Sequence, residues 1–189
     1  LAMLDDIYQQ THEQALAKGL DCQLQIQFPL PQMLYNDSLR VRQVLLNLTS
    51  NAVKFTRKGK VLLNVSYDQT LCRLSIKIKD TGIGMTSVEM ARLFQPFVQA
   101  DATVTRDFGG TGLGLCISKK LMEQMNGDIL VESVKGIGSC FELVFQLSRD
   151  SQLVDCYEPA AASREQPQQL AQLKLHVLVA EDNPDNQLL

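Results

Sequence analysis

Asn47, Asn51 and Lys54 stand at i, i+4 and i+7 in a segment with helical periodicity. That spacing puts three side chains on one helix face, away from the stripe of Leu45, Leu48 and Ala52. Two amide oxygens suit Mg²⁺ and an ammonium suits phosphate, so the trio could serve a metal-bound triphosphate. Taken alone, a solvated helix face is the better reading. Asp80 closes a strand pattern and enters Asp-Thr-Gly-Ile-Gly. A carboxylate held there can accept an exocyclic N–H, while Gly82 and Gly84 let a flat ring approach the backbone. A capping or Asx-turn aspartate is the plain alternative. Residues 109–115, Gly-Gly-Thr-Gly-Leu-Gly-Leu, open a further helix, whose first N–H groups would face an anion. No GK[ST] follows, so this is no Walker loop, and no matching βαβ unit makes it a Rossmann fingerprint. Nine of the eleven glycines lie between 82 and 138, and all of these but Gly127 cluster in three loops.

The elements that must hold these groups are legible from periodicity. Residues 1–18 read as a helix with Leu4, Ile7, Thr11, Ala15 and Leu16 near one stripe, stopped by Gly19. Residues 21–28 alternate as a half-buried strand, with Cys22, Leu24, Ile26 and Phe28 on one face, ended by Pro29 and Pro31. Asn36, Asp37 or Ser38 caps a helix to Phe55, with Val44, Leu45, Leu48, Ala52 and Phe55 as its buried stripe. Runs 60–68 and 71–80 form a hairpin. A short helix follows at about 86–94, then an aperiodic stretch at 96–110, then a helix at about 112–126 stopped by Asn126-Gly127. Strands 128–134 and 139–147 flank a tight Lys-Gly-Ile-Gly turn. From Ser148 to about Gln172, Pro, Ala, Gln and Ser dominate and the stretch reads as a linker. Residues 175–182 read as a new buried strand.

Composition narrows the function classes. The chain is 45% hydrophobic and 21% charged, enough to build a core without staples. A net charge of −3 with pI near 5.4 is a poor match for gripping nucleic acid. No apolar run has the length of a membrane span or the layout of a signal peptide. Five scattered cysteines without a CxxC pair suggest free thiols in a reducing compartment. His12 and His176 lack metal-ligand spacing.

The segments NLTSNAVKFT (47–56), DTGIGM (80–85), FQPF (94–97), GGTGLGL (109–115) and GIGSCF (136–141) occur in this order. The set resembles the N, G1, F and G2 boxes and the last glycine turn of the ATP-binding domain of sensor histidine kinases, over roughly residues 5–147. The tail 176–187 is similar to the first strand and acidic loop of a receiver domain. The resemblance implies a two-layer α/β (α+β) sandwich of the Bergerat type, a mixed sheet covered on one face by helices. It divides the chain into a catalytic domain (1–148), a linker (149–173) and the start of a receiver (174–189), in the order of a hybrid sensor kinase. Asp80 would bind the adenine amino group, with Gly82 and Gly84 shaping the base pocket. Ser139 would line it through its hydroxyl and a bridging water. Asn51 would coordinate Mg²⁺ with Asn47 beside it, Lys54 would touch the phosphates, and Asn47 and Lys54 would act in the transfer itself. Gly110, Thr111, Gly112, Leu113, Gly114 and Leu115 would cradle the phosphates. Phe94 and Phe97 would anchor a lid, 98–110, from which Arg106 reaches the phosphates. Arg40, Arg42 and Gln43 also match the family.

The implied reaction is transfer of the ATP γ-phosphoryl group to a histidine imidazole. The implied partners are ATP, a histidine-bearing dimerisation domain of the same protein and a receiver domain, in a cytoplasmic setting without nucleic acid or direct membrane contact. His12-Glu13 superficially resembles the family's acceptor pair. No Arg or Lys follows at the family position, and too little chain separates it from the Asn-bearing helix for a second hairpin helix. The acceptor therefore lies outside this chain, which is expected to be monomeric. Glu181-Asp182 resembles a receiver's Mg²⁺-holding pair. Two rival readings are a hydrolytic ATPase of the same superfamily and a nucleotide-sensing module without phosphotransfer. Hydrolytic members carry a glutamate four residues before the metal-binding Asn. Asn47 stands there instead, and an amide cannot act as a general base. Asp107 puts a negative charge in the lid, where relatives often carry Lys.

Overall fold

A computed structural model of the chain describes residues 2–96, 112–149 and 151–156. Helix α1 (Ala2–Ala17) leads into strand β1 (Asp21–Ile26). After β2 (Leu30–Pro31), helix α2 (Ser38–Phe55) precedes the hairpin β3 (Lys60–Asp68) and β4 (Arg73–Asp80). The short α3 (Ser87–Ala91), then α4 (Gly114–Gln124), precede a second hairpin, β5 (Gly127–Val134) and β6 (Gly138–Gln146). Strand β7 (Leu153–Val154) pairs antiparallel with β2.

Five strands form one mixed sheet in the order β1-β3-β4-β6-β5. β1 runs parallel to β3 and the remaining pairs are antiparallel. Alternation along each strand sends one set of side chains to each face. Val61, Leu63 and Val65 of β3, Ile76 and Ile78 of β4, and Phe141, Leu143 and Phe145 of β6 are buried in one core with Ile7 of α1, Val44, Leu45 and Leu48 of α2 and Met122 of α4. The opposite face carries Lys77, which lies 3.6 Å from Glu142, and Ser75, which donates to Glu142 at 2.6 Å. The result is the expected two layers, helices on one face of a mixed sheet.

Local chemistry explains the helix starts. Asp37 caps α2, its carboxylate accepting the Arg40 N–H at 3.1 Å. Thr86 and Glu89 make a reciprocal capping box on α3. The structure departs from the periodicity at several positions. Leu16 is 67% exposed, because the buried stripe of α1 runs through Leu4, Ile7, Thr11 and Ala15 and leaves Leu16 outside it. Phe55 is only partly buried at the end of α2, while Val41, Thr49 and Val53 join the buried stripe. β1 ends at Ile26 and Phe28 is exposed, since this is an edge strand. α3 spans five residues rather than nine. β7 lies where composition indicated a linker, because backbone pairing with β2 needs no periodic signature over two residues. Among the described residues, no helix is long and apolar enough to cross a membrane.

Candidate functional site

One row of the sheet breaks the apolar rule. On the helix-covered face, Ile78 stands opposite Phe141, and Phe141 opposite Val131. One step on, Asp80 stands opposite Ser139, and Ser139 opposite Ser133. Three adjacent strands thus end their apolar face in a polar row.

Asp80 is buried, 5% exposed, at the end of β4. Burial raises its pKa above the ordinary carboxylate value, and the backbone N–H groups of Gly82 and Ser139 pull it partly back. The Gly82 N–H donates to Oδ1 at 2.8 Å. Gly82 must be glycine for close approach: a Cβ there would strike the Phe55 carbonyl of α2 and lie 2.8 Å from Asp80 Oδ1. Ile83 N–H donates to that Phe55 carbonyl at 3.2 Å, so α2's last carbonyl anchors the loop after Asp80. On its other side the loop is held by the β5–β6 hairpin. Gly136 N–H donates to the Ile83 carbonyl at 2.8 Å, and Met85 N–H to Ser133 Oγ at 2.8 Å. Gly84 has φ +58°, and a Cβ there would overlap the Val134 carbonyl.

A second cluster lies along α2. Asn47 Nδ2 donates to Ser118 Oγ of α4 at 2.9 Å, and Asn51 Nδ2 reaches Asn47 Oδ1 at 3.5 Å. A Cβ on Gly114 would lie 2.6 Å from Asn47 Oδ1, so the start of α4 presses against this amide. No side chain caps α4, and Gly112, with φ +69°, turns the chain into it. Leu113 immediately precedes α4, and Leu115 is packed against the core. Lys54 Nζ lies 5.1 Å from the Phe55 ring centroid. Asn47 and Phe55 are eight residues apart, about 12 Å along the helix at 1.5 Å per residue. One helix therefore links the aspartate loop to the start of α4, with Asn51 between them.

The structure therefore brings Asp80, Gly82, Gly84 and Ser139 into one cluster and Asn47, Asn51 and Gly114 into another. Phe94 packs at the core edge beneath Lys119 Nζ, 5.3 Å from its ring centroid. Arg42 pairs with Asp6 of α1 at 3.2 Å, and Arg40 donates to Gln43 at 3.1 Å, so these three family-matching residues make contacts within the helix layer. His12 lies against Tyr8 with the rings tilted at 51° and their centroids 5.7 Å apart. Phe97, the lid 98–110 with Arg106 and Asp107, Gly110, Thr111 and the tail with Glu181-Asp182 lie outside the described residues. Sequence reading missed Ser118 and Ser133. Both had a signal: a small polar residue on an otherwise apolar face, with Leu115 and Met122 on α4 and with Ile129 and Val131 on β5.

Residues 36–149 match the family described as histidine kinase-, DNA gyrase B-, and HSP90-like ATPase. The chain is 39% identical over 173 residues to the autoinducer 2 sensor kinase/phosphatase LuxQ of Vibrio vulnificus, covering 89% of this chain and 20% of that protein. It is 42% identical over 145 residues to hybrid signal transduction histidine kinase A of Dictyostelium discoideum, covering 70% of this chain and 7% of that protein. Among solved structures, full-length ShkA in complex with AMPPNP superposes with TM-score 0.66 at 33% identity, covering 84% of this chain and 31% of ShkA. The chain thus spans about a fifth of the length of its LuxQ relatives.

Proposed function

This chain belongs to the histidine kinase-, DNA gyrase B- and HSP90-like ATPase family and has its Bergerat fold, and from that premise we propose that it is the ATP-binding catalytic domain of a hybrid sensor histidine kinase. It donates the γ-phosphoryl group of ATP to a histidine on a dimerisation domain of the same protein. The observation that carries the kinase reading over a hydrolytic one is the state of Asn47. Its amide is engaged by Ser118 and faced by Asn51, and an amide has no basicity with which to activate water. A regulatory module without transfer is the remaining alternative. Both clusters being built with side chains and glycines in register argues against a decayed site.

Asp80 supplies a desolvated acceptor for the adenine amino group, and Gly82 and Gly84 keep the backbone open for the ring. Ser139 lines the same pocket. The uncapped start of α4, with Gly112, Leu113, Gly114 and Leu115, offers backbone N–H groups to the phosphates. Gly110, Thr111 and Arg106 complete that cradle in this reading. Lys54 contributes positive charge at the transferring end, and Asn47 braces Asn51. The donors fit Mg²⁺ in one way. Among the described residues no group of three His, Cys, Asp or Glu could hold a metal. Asn51, whose Nδ2 faces Asn47, has an amide oxygen left to give, so Mg²⁺ would be shared between Asn51 and the phosphates, as this ion prefers. Bound there, it neutralises charge on the transferring group. In this reading 149–173 act as a linker whose first residues are pinned back through the pairing of β7 with β2, and 174–189 begin a receiver domain, the next phosphoryl acceptor class.

Calorimetric titration with a non-hydrolysable ATP analogue, with and without Mg²⁺, tests this reading. The expected result is Mg²⁺-assisted binding. A helical histidine domain supplied in trans should then gain acid-labile phosphohistidine from ATP. Binding without any phosphohistidine would favour the regulatory module, and rapid phosphate release without the histidine domain would favour the hydrolase.

A further inference from the structure

The hydroxyl of Ser133 sits at the centre of three contacts. It lies 2.8 Å from the Met85 N–H, 3.0 Å from the Gly138 carbonyl and 3.0 Å from Ser139 Oγ. A serine hydroxyl has one proton to give and two lone pairs to receive. The amide N–H only donates, so it takes one lone pair. The carbonyl only accepts, so it takes the one proton. The third contact must then be filled by Ser139 donating to Ser133. A reversed proton would leave two oxygens, Ser133 Oγ and the Gly138 carbonyl, facing each other at 3.0 Å with no hydrogen between them. The backbone fixes the donor and the acceptor on either side. Met85 N is held in the loop between β4 and α3, and Gly138 starts β6, where its φ of +137° and the overlap a Cβ would make with the Asp80 carbonyl exclude other residues.

From this count we propose that Ser133 is a positioning residue that fixes Ser139 as a hydrogen-bond acceptor and so tunes the pocket beside Asp80 for a base edge that donates. The inference rests on the adenine-pocket reading above. Ser139 has spent its only proton on Ser133. What it offers the pocket is lone pairs, and Asp80 on the neighbouring strand offers lone pairs too. A 6-amino purine, directly or through a water, satisfies such a pair. A 6-oxo purine puts an acceptor where the amino group was, which meets two groups that cannot donate to it, and its remaining donor, N1–H, can satisfy only one of them. A pocket built this way rejects the wrong edge by leaving buried groups unpaired, which discriminates more strongly than shape alone. Ser133 touches no base itself. It acts by denying Ser139 the rotamer in which its hydroxyl proton points into the pocket.

The test measures dissociation constants of ADP and inosine diphosphate by calorimetry for the wild-type chain, Ser133→Ala, Ser139→Ala and the double variant. The wild-type chain should prefer ADP. Ser133→Ala frees the Ser139 proton and should reduce that preference by about fivefold, the worth of one hydrogen bond near 1 kcal/mol. In the Ser139→Ala background the same substitution should leave the preference unchanged, since the effect passes through Ser139. Ser133→Thr, which keeps the hydroxyl, should retain the wild-type preference. It also provides the comparison should Ser133→Ala lose stability with the Met85 link. An unchanged preference in Ser133→Ala, or an equal shift with and without Ser139, overturns the proposal while leaving the ADP pocket standing. A folded wild-type chain that binds neither nucleotide overturns the pocket reading and this inference together.

Discussion

At the residue scale, Asp80 carries the sharpest consequences. Its side chain is removed from water at the end of a central strand, and burial raises its pKa. The carboxylate form is the acceptor the pocket needs. ADP affinity should therefore fall as pH is lowered into a range that begins above the ordinary aspartate value of about 3.9. Asp80→Asn, close in shape but with an amide NH2 in place of one carboxylate oxygen, should weaken ADP by about tenfold or more at neutral pH and abolish this pH dependence; calorimetry over the pH range from about the ordinary aspartate value up to neutrality reads both. Stability without ligand runs the other way. A group with a raised folded pKa binds its proton more tightly in the native state, so its contribution is fully present below the unfolded pKa and is lost as pH rises through the folded one. Urea unfolding should show this slope in the wild-type chain and its loss in Asp80→Asn.

At the element scale, the site depends on how the β4–α3 loop, the β5–β6 hairpin loop and two helices are fastened. Gly84 and Gly136 make a controlled pair on facing loops. Both have positive φ, +58° and +80°. A methyl on Gly84 overlaps the Val134 carbonyl, whereas a methyl on Gly136 meets nothing within 4 Å. Gly136→Ala should cost about 1 kcal/mol, the left-handed backbone penalty alone. Gly84→Ala should cost about 3 kcal/mol or more, because backbone must also move, and it should take nucleotide binding with it. Thermal melts of the two variants make the comparison. The α2–α4 junction offers a second test. Asn47→Ala, Ser118→Ala and the double variant should show a coupling of about 1 kcal/mol in urea, as expected for one half-buried side-chain hydrogen bond. Additive costs would mean the two residues merely lie near each other.

At the scale of the whole molecule, a late segment completes a second, two-stranded sheet apart from the main one. β7 pairs with β2, and the Gln32 N–H donates to the Gln152 carbonyl at 2.7 Å. Ending the chain at Leu147 should therefore lower stability by about 1–2 kcal/mol through lost pairing, although the site residues are untouched. Guanidinium unfolding of the two lengths checks this, and equal midpoints would show that the ribbon contributes nothing.

Much of the fold was legible because its elements are amphipathic and their periods differ. The stripe Val44, Leu45, Leu48 and Ala52 could only be a helix face, and 60–68 with 71–80 could only be a hairpin. Asn47, Asn51 and Asp80 were legible as candidates because polar residues at fixed spacing beside glycine loops are chemically conspicuous. Three things were decided only in three dimensions. The order of the strands puts β6 between β4 and β5, and that alone sets Asp80, Ser139 and Ser133 in one row. Spacing along a chain says nothing about which strand a hairpin will pair with. The glycines at 82, 84 and 138 look alike in the sequence, yet each is excluded from bearing a side chain by a different backbone carbonyl, those of Phe55, Val134 and Asp80 in turn. Finally, the direction of a hydroxyl proton depends on which donor and which acceptor flank it. Ser133 reads as one more serine in a strand until the fold sets an N–H on one side and a carbonyl on the other. The sequence by itself determined which groups the protein has for handling a nucleotide. Tertiary structure decided which way those groups face, because hydrogen bonding is directional and its partners come from strands and loops far apart in the chain.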